Sequence, residues 1–166
     1  MPENTAQESK RRPSQAFGIA IIVFVVLSAL LIARIGPFGA TRGGGSADTP
    51  PMFTQGVSVQ AALDETSDDD RFVVVVASAT WCGPCQTYKR TALRDERVES
   101  WVRENGLALY IDVDRDTVDA ATVGARALPT TVVYHRGKAV ARTVGAMNGD
   151  NLVRWLDQQR QLALAN

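Results

Sequence analysis

The chain has 166 residues with 18 basic and 18 acidic side chains, so its formal net charge is zero and gives no basis for a nucleic-acid partner. It holds two cysteines and one histidine. That excludes a disulfide framework and leaves too few nitrogen and sulfur ligands for a closed structural zinc site.

Residues 1–15 are polar, end near Lys10-Arg11-Arg12, and read as a tail without fixed structure. No charged residue occurs from Pro13 to Ala33, and Phe17 to Ala33 is almost wholly apolar. With its neutral flanks, this run meets the roughly 20 residues a helix needs to cross a bilayer. We therefore expect one transmembrane anchor at 16–35, contacting the lipid bilayer. A cleaved signal peptide is the competing reading. Its apolar region is shorter, about 7–15 residues, and it ends in a small-x-small site, which Arg34-Ile35-Gly36-Pro37-Phe38 does not offer. Three basic residues precede the run, and Arg34 and Arg42 follow it. The excess places the N-terminus in the cytoplasm and the rest of the chain on the extracytoplasmic, periplasmic face. Residues 36–56, with Gly43-Gly44-Gly45-Ser46 and Pro50-Pro51, read as a flexible tether.

About 110 residues remain, one domain's worth, at 57–166. A short helix comes first, with Val59, Ala62 and Leu63 at helical spacing. Asp68-Asp69-Asp70 reads as a solvated turn rather than a metal site. Phe72 to Ala77 is a β-branched run of strand length. Trp81-Cys82-Gly83-Pro84-Cys85 follows, and then a helical pattern from Pro84 to Glu104 that breaks near Asp95. Asn105-Gly106 supplies a helix stop. Leu107 to Val113 is a second buried strand, ending in turn residues Asp112 and Asp114. Thr117 to Arg126 reads as a helix with Val118, Ala121 and Val123 inward. Thr130–Tyr134 and Ala139–Val144 form a hairpin across Arg136-Gly137-Lys138, with His135 at its surface. Asn148 caps a last helix whose stripe is Leu152, Val153, Trp155, Leu156 and Leu162. This order predicts an α/β fold with a mixed central sheet covered by helices.

The cysteine pair carries the chemistry. Cys82 falls where a buried strand hands over to a helix N-terminus. There, unpaired backbone N–H groups and the helix dipole stabilise a thiolate. The thiolate is the nucleophile in disulfide exchange. Cys85 lies one turn on, within reach of the Cys82 sulfur. Pro84 suits the first turn, where a missing N–H costs little. Half a zinc site and a purely structural disulfide are the bland alternatives. The first lacks ligands, and the second closes a very short loop.

These five contiguous residues resemble the active-site motif of the thioredoxin family. Ala127-Leu128-Pro129-Thr130, directly before the hairpin, is similar to the family's cis-proline segment, and Val144-Gly145-Ala146 to its glycine loop. The resemblance covers residues 57–164. It implies a thioredoxin fold and a thiol–disulfide oxidoreductase with Cys82 as nucleophile and Cys85 as resolving thiol, set in the loop of Trp81, Gly83 and Pro84. It also implies a client groove at Leu128, a cis Pro129 and Gly145. No metal and no cofactor beyond the redox-active disulfide Cys82–Cys85 are expected. The partners implied are client proteins with disulfides and a separate membrane or soluble thiol reductant. Two positions depart from the family. Val76 stands where thioredoxins bury an aspartate, and Tyr110 is nearest to where they carry a lysine. The stretch Thr91 to Val98 looks more like membrane-linked domains of disulfide-reductase systems, so we expect a tethered reductase. An oxidase or isomerase, or a tethered peptide-binding or chaperone module, stands as the alternative.

Overall fold

The computed structural model describes residues 48–165. The expected tail, the anchor at 16–35 and most of the tether lie outside the described residues. Among the described residues, no helix is long and apolar enough to cross a membrane.

The elements follow in the expected order. Helix α1 (Val59–Glu65) leads to strand β1 (Phe72–Ser78) and helix α2 (Gly83–Arg90). A 3-10 turn at Ala92–Arg94 precedes helix α3 (Glu96–Asn105) and strand β2 (Gly106–Asp112). Helix α4 (Thr117–Val123), strands β3 (Thr130–His135) and β4 (Lys138–Val144), and helix α5 (Gly149–Leu164) complete the chain. The strands are ordered β2-β1-β3-β4, with β2 parallel to β1 and the rest antiparallel.

β1 explains the architecture. All seven of its residues are buried, because both faces of the sheet are covered. Successive side chains alternate between the faces. Phe72, Val74 and Val76 join Tyr88, Leu93, Trp101, Leu152 and Leu156 on one face. Val73, Val75 and Ala77 join Val59, Leu63, Leu109, Ile111 and Val123 on the other. The break at Asp95 is a capping event: its carboxylate accepts the Arg97 backbone N–H. The same carboxylate accepts the Arg97 guanidinium, which holds it below the usual carboxylate range. At Gly106 the backbone runs so close to Phe72 that a Cβ would overlap its carbonyl oxygen, so the stop residue also lets β2 approach β1. Arg136 and Gly137 both have positive φ, which gives the hairpin its tight two-residue turn.

Four expectations change. The domain begins before Val57, because Phe53 is buried, lies edge-on to Tyr110, and forms a parallel bridge to Ala108. An aromatic side chain with an open sheet edge beside it docks rather than staying in a tether. Val118 is 78% exposed, and Ala121 is exposed too. Ala120 and Val123 face inward instead, and Asp119 accepts the Val59 backbone N–H. Leu162 is exposed, and Ala163 packs against the core in its place. His135 is buried, with its ring stacked on Phe72 at 4.5 Å. A flat ring beside a phenyl group hides its faces even at a strand end.

Candidate functional site

β1 ends at Ser78, and the chain turns over Ala79 into α2. The turn is tied by two bonds to the Ala79 carbonyl, from the Cys82 backbone N–H at 3.2 Å and from Gln86 Nε2 at 2.9 Å. Cys82 is the N-cap of α2, and its Sγ accepts the Cys85 backbone N–H at 3.2 Å. A sulfur in that position takes the place of a capping oxygen, so partial positive charge of the helix end falls on it. Pro84 occupies the first turn, where its lost N–H has no helical partner to miss. Cys82 and Cys85 are joined as a disulfide, with Cα atoms 5.2 Å apart. Cys82 is 5% exposed and Cys85 1%, and both pack against Ala79, Val113 and Leu128.

An open groove of about 540 Å³ runs past the pair, lined by Trp81, Cys82, Gly83, Pro84, Val113 and residues 125–128. The Leu128–Pro129 peptide bond is cis. Pro129 itself is buried. Its carbonyl accepts the Gly145 backbone N–H at 2.8 Å. Gly145 has φ of 102° with open space around a would-be Cβ, so backbone conformation rather than crowding calls for glycine. The structure thus gathers Trp81, Gly83, Pro84 and Leu128 at the groove. Pro129 and Gly145, expected at the groove, are not among its lining residues: Pro129 is buried next to Leu128, and Gly145 is tied to Pro129 by one backbone bond.

Three contacts here are not legible in the sequence: Trp81 with Asp114, Lys89 with Asp48, and Tyr110 with Ser78. Trp81 is 71% exposed, yet its indole Nε1 donates to Asp114 Oδ2 at 2.7 Å. The sequence places Asp114 in a turn, and its one signal for a role here is its position just past a strand end. Lys89 is buried on α2 and pairs with Asp48 Oδ2 at 2.7 Å. That bond holds the Asp48 carboxyl below its usual range. Tyr110 donates its hydroxyl to Ser78 Oγ at 2.6 Å. Tyr110 and Val76 are direct partners across β1 and β2, so the two positions that depart from the family are neighbours. Burial pushes the Tyr88 hydroxyl up to about 12, opposed by its hydrogen bond to Thr131.

We expect Asp114→Ala to free the indole without disturbing the cysteines. KM for a disulfide-bearing client should rise about fivefold, the worth of one hydrogen bond, with kcat little changed. Trp81 fluorescence should shift as the ring gains freedom. A fall in kcat at constant KM would show that Asp114 acts on the chemistry instead.

A sulfur pair at a strand-to-helix turn, opposed by a cis-proline segment across an open groove, defines a thiol–disulfide exchange protein. The profile of the thioredoxin-like domain matches residues 59–160, and the chain belongs to that family. A thioredoxin of Aspergillus fumigatus is 39% identical over 45% of this chain and 66% of its own length. A thioredoxin of Malassezia sympodialis is 32% identical over 55% of this chain and 86% of its own length. The crystal structure of a Malassezia sympodialis thioredoxin aligns with a TM-score of 0.52 at 28% identity, covering 62% of this chain and 88% of that one. The chain is a thioredoxin-like thiol–disulfide oxidoreductase that carries the Cys82–Cys85 pair, and its family implies disulfide-containing client proteins.

Proposed function

We propose that this chain reduces client disulfides while tethered to a membrane, with its catalytic domain on the extracytoplasmic face. One observation carries the chemical part: Cys82 Sγ caps α2 at the groove, while Cys85 is sealed beneath it. Cys82 is then the nucleophile and Cys85 the resolver. The Cys82 thiolate attacks a client disulfide, forming one sulfur–sulfur bond as the client's own breaks. Cys85 attacks Cys82 and releases the reduced client. Leu128 and Trp81 flank the incoming chain. No cofactor is needed beyond the cysteine pair. The apolar run from Phe17 to Ala33 and the basic residues before it support the tether and its orientation. No cysteine lies in that run, so electrons must reach Cys82–Cys85 from a separate thiol reductant, a membrane or soluble dithiol protein.

Equilibrating the full-length chain with dithiol buffers tests the direction of flow. We expect a reduction potential near the roughly −270 mV of thioredoxin. A value near −120 mV would make the protein an oxidant instead. Labelling the same reduced chain in intact cells stripped of any outer layer tests its location. A membrane-impermeant thiol reagent should reach Cys82, and labelling only after lysis would place the domain in the cytoplasm.

A further inference from the structure

The groove beside the cysteine pair carries one charged side chain. Arg126 lines it, and the other lining residues, 81–84, Val113, Ala125, Ala127 and Leu128, carry no acid and no second base. Arg126 is exposed, and among the described residues no hydrogen bond or ion pair engages its guanidinium. Other arginines are committed. Arg71 is paired with Glu65 and Asp69, Arg97 with Asp95 and Asp150, and Arg136 with Asp70. A surface arginine without a partner is ordinarily a solvated one. This one differs in its setting, an apolar groove that runs past a reactive sulfur.

The backbone on both sides of Arg126 is fixed. Before it, α4 ends at Gly124 in the left-handed conformation, and the Gly124 N–H donates to the Ala120 carbonyl at 2.9 Å. The Arg142 guanidinium donates to the Val123 and Gly124 carbonyls. After it, Thr130 Oγ1 donates to the Ala127 carbonyl at 2.6 Å, and the Gly145 N–H to the Pro129 carbonyl at 2.8 Å. A stem set before a client arrives lowers the ordering cost of a contact. Leu128 packs against Cys82 and Cys85, and Arg126 is two residues before it, a span of about 7 Å at most. An extended client advances about 3.3 Å per residue, so side chains roughly one to three residues from its cysteine pass the guanidinium.

The charges around the groove favour one sign of client. Arg142 places a second cation beside Gly124, two residues before Arg126. The nearby acids are occupied without meeting Arg126. Asp114 accepts the Trp81 indole, Asp112 Oδ1 accepts the Asp114 backbone N–H, and Asp116 Oδ2 accepts the Asp112 backbone N–H.

We propose that Arg126 selects clients that carry a carboxylate within about three residues of the cysteine attacked by Cys82. The proposal rests on the dithiol reading above and names the class of disulfide that it favours. The guanidinium meets the carboxylate, while Val113, Leu128 and Trp81 take the apolar part of the segment. A lysine or arginine at the same place in the client is disfavoured by like charge.

The test uses the full-length protein and three disulfide-linked peptides of one sequence, with Glu, Gln or Lys two residues from the reactive cysteine. Each is made with the variable residue before and after that cysteine. In one of the two placements, KM should rise about fivefold from the Glu to the Lys peptide, the scale of one exposed attraction exchanged for one repulsion, with kcat little changed. In about 1 M salt the spread should collapse. Arg126→Lys should keep the order of the three peptides, Arg126→Gln should level it, and Arg126→Glu should reverse it. A merely structural role would move all three peptides together. Equal KM values for the three peptides with the parent protein overturn the proposal, and so does an order that survives Arg126→Glu. Both results leave the dithiol reading standing. That reading fails, and the proposal with it, if the parent protein reduces none of the peptides, the neutral one included.

Discussion

Replacing Cys85 with serine should turn the enzyme into a trap. Cys82 still caps α2 beside the groove and still attacks client disulfides, but no second thiol releases them. Mixed disulfides through Cys82 should accumulate, and multiple-turnover reduction should fall by on the order of a thousandfold or more, as expected for loss of a covalent catalytic group. Cys82→Ser should abolish turnover to the same degree without trapping clients. The remaining thiol at position 85 is buried and cannot meet a client sulfur. Non-reducing electrophoresis of affinity-purified variants checks both. Equal trapping by the two variants would reverse the assignment of nucleophile and resolver.

Val76→Asp should be the most destabilising single change considered. Val76 is fully buried among Phe53, Phe72, Val74 and Tyr88, with Tyr110 and Thr131 as its cross-strand partners. Both hydroxyls already have partners, at Ser78 and Tyr88. Lys89 is in the same layer but is held by Asp48. A carboxylate placed there is poorly satisfied, and its folded-state pKa rises above the unfolded value of about 3.9. The sign follows from that direction. A group whose pKa is raised on folding contributes least harm below its unfolded pKa. Stability is then lost as pH climbs through the folded value. The variant should therefore come closest to the parent near pH 4 and lose on the order of 3 kcal/mol at neutral pH. Urea midpoints at the two pH values measure this. At the position where the resemblance to thioredoxins implies a buried aspartate, the same carboxyl would take the Cys85 proton, so single-turnover release of a client should quicken several-fold. A variant as stable as the parent at neutral pH, with an unchanged release rate, would contradict both arguments.

Much of this was legible in the chain itself. The valine run, the cysteine turn, the break at Asp95 and the hairpin at Arg136-Gly137 all sit where the structure has them. So does the Asn148 cap, whose side chain accepts the Asn151 backbone N–H at 2.8 Å. Each is a local matter, decided by apolar period, by a capping side chain or by φ, over less than two helical turns. Reading failed where period alone was asked to choose a face. Val118 and Ala121 are as apolar as Ala120 and Val123, but α4 is rolled by the bond from the Val59 backbone N–H to Asp119, sixty residues away.

The sequence by itself determined the chemistry: two cysteines in one turn, between a buried strand and a helix, with a proline segment ahead of a hairpin. Which groups serve that chemistry was decided only by the tertiary structure. Trp81 meets Asp114, Tyr110 meets Ser78, and Asp48 meets Lys89 because β2 lies in parallel register beside β1 and the residues before α1 fold back along its edge. No spacing in the chain encodes those meetings. They follow from the burial of both faces of β1, which sets the register of β2 on one side and β3 on the other, and register decides which distant side chains share a face.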